Sequence, residues 1–183
     1  MNTSKPLHLR TSRDDHRIAA LAALAIAIHL IEAALPSPIP GVKPGLANVI
    51  TLVVLFMYGW RDAAWVSLLR VFAGSLLVGS FLTPTFVLSL AGACSSLAIL
   101  GLAWHMNPLL QRLGLKQGLG PVGLSVLGAC AHMTGQIITA RLLIIPHDGL
   151  FHLLPLLITA AVLFGIVSGI ITQLILIQLR PNQ

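Results

Sequence analysis

The run Glu32-Ala-Ala-Leu-Pro-Ser-Pro-Ile-Pro-Gly-Val-Lys-Pro-Gly-Leu-Ala-Asn48 joins two apolar segments and decides how the rest of the chain is read. Pro36, Pro38, Pro40 and Pro44 each fix φ and push the preceding residue out of the helical region, so the connector is stiff and extended. Gly41 and Gly45 supply the bends that such a path needs. A spacer between two helices has no need of this rigidity, so the sequence points to a loop that shapes or covers a binding site.

Outward from that connector the chain is lipid-like. Of 183 residues, 56% are hydrophobic and 9% charged, and the mean hydropathy is +0.92. Soluble domains carry roughly 25% charged residues, so this composition is that of an integral membrane protein. The net charge of +6 lies mostly at segment ends, and no basic patch interleaved with aromatics occurs, which excludes a nucleic-acid partner. Cys94 and Cys130 sit in apolar runs beside Gly and Ala and read as packing residues rather than a disulfide.

The organisation expected is a basic cytoplasmic tail over 1–17, a transmembrane domain over 18–180 and a cytoplasmic end over 181–183. The domain is all-α, with six crossings at Ile18–Leu35, Leu46–Trp60, Ala63–Leu82, Phe86–His105, Val122–Ile145 and Leu150–Leu179. Leu46–Trp60 is short for a crossing, yet it must cross for Arg112 and Lys116 to stay inside. With six crossings, Lys5, Arg10, Arg13, Arg17, Arg61, Arg112, Lys116 and Arg180 are cytoplasmic and Lys43 alone faces out. Trp60 is expected at the interface in the Gly59-Trp-Arg-Asp62 turn. Asp14-Asp15 reads as helix N-terminal charge.

Polar residues inside such a domain face a cavity or a partner. Glu32, Lys43, Asn48 and Arg141 fall at the outer helix ends or in the outer loop, while Arg70, His132 and Gln136 lie deeper. Three cations against one carboxylate suggest a pocket that prefers an anion, with N–H groups near Gly45 at the start of the second helix helping to hold it. The competing expectation is that Glu32 pairs with Arg141 or Arg70 and the others reach the interface. His29 and Glu32 are neighbours on one face, but H-x-x-E is the sole local metal spacing and the arginines repel cations, so no metal is expected. Serines beside Gly and Ala read as packing residues, not nucleophiles. No ATP-binding motif occurs and no cofactor is expected. Ala19, Ala23 and Ala27 form a smooth stripe on the first helix suited to close helix docking, and Gly165 and Gly169 form a GxxxG contact on the sixth.

The run Leu35-Pro-Ser-Pro-Ile-Pro-Gly-Val-Lys-Pro-Gly-Leu-Ala-Asn-Val-Ile-Thr-Leu52 resembles the signature of the heptaprenyl diphosphate synthase component I family, also called the Gx transporter family. Leu69-Arg-Val71, Gly79-Ser-Phe81 and Leu88-Ser-Leu-Ala-Gly92 resemble it too, and the likeness extends over roughly Ile18 to Gln178. That family is similar in turn to the substrate-capturing S components of energy-coupling factor transporters. The resemblance implies a six-helix bundle whose outer loop covers a substrate and whose first-helix alanines dock a membrane coupling protein served by ATPase subunits. The enzyme name implies instead an accessory role beside a soluble prenyl synthase. The chain has Asp14, Asp15, Asp62 and Asp148 but no DDxxD cluster, so it lacks the usual catalytic chemistry of prenyl diphosphate synthesis.

Overall fold

The computed structural model describes residues 12–34, 45–112, 114 and 118–179, and among them the regular secondary structure is all helical. The helices are α1 (Arg13–Ala34), α2 (Leu46–Tyr58), α3 (Trp60–Val78), α4 (Pro84–Arg112), α5 (Pro121–Leu143) and α6 (Leu154–Leu179), with a 3-10 turn at Asp148–Leu153 before α6. Pro84–Arg112, Pro121–Leu143 and Asp148–Leu179 are long and apolar enough to cross a membrane. The connector from 35 to 44, with Lys43, lies outside the described residues, as do the tail over 1–11, Lys116 and 180–183.

Local chemistry sets the helix ends. α1 starts in a reciprocal capping box: the Asp15 N–H donates to Ser12 Oγ at 3.1 Å, and the Ser12 N–H donates to Asp15 Oδ2 at 2.8 Å. These bonds hold the Asp15 carboxyl below the usual carboxylate range. Asp14 faces Arg17 at 3.2 Å. Gly59 alone separates α2 from α3, at φ 94° and ψ 178°. Its N–H closes α2 on the Leu55 carbonyl, and α3 restarts at once. A residue with a Cβ adopts that φ only with strain, which is why glycine stands there.

Trp60 is therefore the first residue of α3 rather than part of an exposed turn. Its Nε1–H donates to the Leu97 carbonyl at 3.2 Å, and a Cβ on Gly101 would come within 2.4 Å of that nitrogen. The half-buried indole is thus laid on the α4 backbone. α3 ends at Val78, short of the Leu82 expected, because Gly79 takes a left-handed cap at φ 73°. α4 runs past His105 to Arg112. There Asn107 ties the returning chain to it, accepting from the Leu119 N–H at 2.6 Å.

Five helices close a ring in the order α2, α3, α4, α5, α6, with α6 returning to α2, and α1 packs against α2 and α3. The tightest seam joins α5 to α6. A Cβ on Gly169 would fall 2.5 Å from Val122 Cα, and one on Gly165 3.0 Å from Val126 Cα. The glycine pair is what lets these backbones approach. One end of the ring is filled by Leu52, Leu55, Val66, Leu100 and Leu124, all buried, with Trp60, Phe56 and Trp104 packed around them. At that end Arg17 bonds Asp62 at 2.8 Å and lies 4.1 Å over the Tyr58 ring, fixing the start of α1 to the α2–α3 turn.

Candidate functional site

Away from that core the ring opens into a cavity of about 690 Å³ lined by residues of all six helices. Its size lies within the roughly 300–1,000 Å³ of small-molecule sites. The wall follows from helix phase. On α3, Ser67, Arg70, Val71 and Ser75 recur at three- and four-residue steps and share one face. α4 adds Ser89 and Ser96, and α6 adds Ser168. Small side chains at these points leave space that leucines fill at the other end.

The structure brings Glu32, Asn48, Arg70, His132 and Gln136 together on this wall. Arg141 stands apart and is not among the lining residues. Its Nε and Nη2 donate to Asp148 Oδ1 at 3.0 and 2.7 Å, so the acid of the following turn holds it at the rim. Among the described residues Arg70 is thus the one arginine of the cavity, where Arg70, Arg141 and Lys43 were expected together.

Glu32 is buried, and its Oε1 accepts the Leu46 N–H at 2.5 Å. The N-terminus of α2 holds the protein's own carboxylate rather than being left wholly to a ligand, and the helix dipole favours that charge. Gly45 precedes it in a left-handed conformation at φ 74° and itself lines the cavity. The Glu32 carboxylate also acts electrostatically on Arg70. His29, one turn before Glu32, lies on Gly74 of α3, where a Cβ would meet its Cδ2 at 3.1 Å.

His132 packs more tightly still. A Cβ on Gly92 would lie 2.6 Å from its Nε2, so the imidazole edge rests on the α4 backbone. Four buried side-chain atoms among the described residues have no hydrogen-bond partner: Arg17 Nε, Thr51 Oγ1, Arg70 Nε and His132 Nδ1. The last three belong to residues of the cavity wall. Unpaired buried polar atoms are uncommon and costly, and three around one cavity mark it as polar by construction.

Thr51 and the serines were not singled out from sequence. Beside Gly and Ala a serine reads as packing, and Ser95 does pack, its Oγ meeting Gly135. Ser89 and Ser96 differ from it only in rotational phase, which the sequence carries weakly.

The family model described as heptaprenyl diphosphate synthase component I matches residues 21–175. No curated protein and no solved structure matches the chain.

Proposed function

This chain belongs to the heptaprenyl diphosphate synthase component I family, and from that membership and the cavity together we propose that it is the substrate-binding membrane subunit of a transporter. The substrate is a small anionic or amphipathic molecule. The observation that carries this reading is the cavity of about 690 Å³, walled by all six helices and holding a buried arginine. Arg70 neutralises the ligand, His132, Asn48 and Gln136 orient it, and Glu32 fixes the start of α2 beside it. Lys43, which lies outside the described residues, is kept as a proposed substrate contact on the sequence alone. Arg141 is left to its bond with Asp148.

In this proposal α1, α2 and α3 cross the plasma membrane along with the three longer helices, giving six crossings with both termini inside, as in S components. Ala19, Ala23 and Ala27 are all exposed along α1, which supports a docking face for a membrane coupling protein. ATPase subunits then supply the energy that the chain has no motif to supply.

The family description favours a second reading. "Component I" implies a partner subunit, and the chain is then the non-catalytic membrane component beside a soluble polyprenyl diphosphate synthase. A mild-detergent pull-down from native cells, read by mass spectrometry, separates the two. Recovery of ATPase subunits with a membrane coupling protein is the expected result. Recovery of a soluble prenyl synthase instead would overturn the transport reading.

A further inference from the structure

The cavity wall carries two opposite charges that are not joined to each other. Glu32 on α1 and Arg70 on α3 both line it, at 4% and 7% exposure, and they act on each other electrostatically. The ion pairs among the described residues are Arg17 with Asp14 and Asp62, and Arg141 with Asp148, so Glu32 and Arg70 stop short of ion-pair distance. Opposite charges in a lipid-walled site gain most by closing on each other, because each is costly to bury alone. Here they are held apart.

Local structure sets the separation. Glu32 Oε1 is committed to the Leu46 N–H at the start of α2, where the helix dipole favours a carboxylate. One such bond leaves a carboxylate with further acceptor capacity, and an arginine carries five N–H donors. Arg70 makes no hydrogen bond among the described residues, and Nε is its one nitrogen closed off in the wall. Its terminal nitrogens are therefore the donors that a ligand meets.

Filling the cavity expels the water that solvates these charges, so the ligand has to supply what the water gave. A simple anion answers Arg70 but is repelled by Glu32, and a simple cation meets the reverse. A molecule that carries both charges answers both. The cavity also runs on to Leu52, Leu100 and Leu124 of the filled core, so the rest of that molecule is apolar.

We propose that the cavity takes an apolar zwitterion of amino-acid type, whose carboxylate meets the Arg70 terminal nitrogens and whose ammonium meets the Glu32 carboxylate. The flat guanidinium suits a carboxylate, and an ammonium brings donors that Glu32 accepts. The inference rests on the transport reading only in taking the cavity as a ligand site.

The test uses the purified full chain in detergent near neutral pH, with leucine, phenylalanine and tryptophan as probes. Each is compared with the amine that lacks its carboxylate and the acid that lacks its ammonium, as phenylalanine is with phenethylamine and 3-phenylpropionate. Binding is read by titration calorimetry and by the shift in thermal midpoint. At least one amino acid binds and stabilises. Its two single-charge counterparts bind about tenfold or more weakly, as expected when a buried charged group loses its partner. Glu32→Gln, which keeps an acceptor for the Leu46 N–H, brings the acid level with the amino acid, and Arg70→Gln does the same for the amine. A single-charge probe that matches or exceeds its amino acid on the wild-type chain overturns the inference. So does a preference left unchanged in folded Glu32→Gln or Arg70→Gln, or failure of all three amino acids to bind the folded protein. Where a variant does not fold, the wild-type probe series decides. A chain that retains ATPase partners in the pull-down yet ignores amino acids loses only this inference, and one that binds them without such partners loses only the transport reading.

Discussion

The two ends of the helix ring are built from the same helices and differ in what those helices place inside. At one end Leu55 and Val66 lie in a filled core sealed by Trp60, and Leu100 and Leu124 of that core also line the cavity above it. Toward the other, Ser67, Ser89, Ser96 and Ser168 occupy inward positions, and a cavity of about 690 Å³ remains. The filled end fixes how the helices cross, and that fixed crossing lets the other end stay open. A hollow bundle without such a base would collapse, because voids forfeit the packing contacts that hold interiors together.

The largest effect should come from hollowing the filled end. Leu55→Ala removes a fully buried side chain that does not line the cavity and is expected to destabilise by about 2–5 kcal/mol, read as a lower thermal midpoint in detergent. A change below about 1 kcal/mol would mean that this end does not hold the ring together. Next comes the seam between α5 and α6. Gly169→Ala sets a methyl 2.5 Å from Val122 Cα, and should cost about 1–3 kcal/mol.

Glu32→Gln sharpens the contrast at the open end. It removes the charge accepting the Leu46 N–H and should cost about 0.5–2 kcal/mol, the range of a lost helix cap. Hydrogen exchange at the first turn of α2 should rise more than exchange in the core. Ser96→Ala, by contrast, should leave stability within about 0.5 kcal/mol while altering ligand binding. Equal losses from Ser96→Ala and Leu55→Ala would erase the distinction between the two ends.

The smallest effect is the acid response of the α1 cap. The folded Asp15 carboxyl lies below its unfolded value, so its contribution is present above the unfolded pKa and fades as pH falls through the folded one. Asp15→Asn should flatten that part of the acid limb of the stability profile, lowering stability at neutral pH and converging on the parent chain at acid pH. An acid limb unchanged in the variant would assign the response to other groups.

Much of this was legible in the sequence, and what escaped has physical causes. Hydropathy fixed the helices, and interior polar residues marked Glu32, Asn48, Arg70, His132 and Gln136, which meet on one wall. Trp60 was read as part of a turn because a break of one glycine, with a new helix starting at once, does not show in hydropathy. Arg141 was drawn toward the pocket because its partner Asp148 lies seven residues on, past the end of the helix, where helical spacing does not pair them. The hydroxyl lining was missed because Ser95 and Ser96 are neighbours in sequence yet face different surroundings: one packs on Gly135 and the other lines the cavity.

The central claim is that the open end holds a small molecule. Native mass spectrometry of the protein released from its own membranes, beside Ser96→Trp as a plug of the cavity, tests it most directly. The account predicts a bound small molecule on the wild-type chain that is lost from a folded Ser96→Trp variant. A wild-type chain of bare mass, or an adduct that the plug leaves in place, would contradict it.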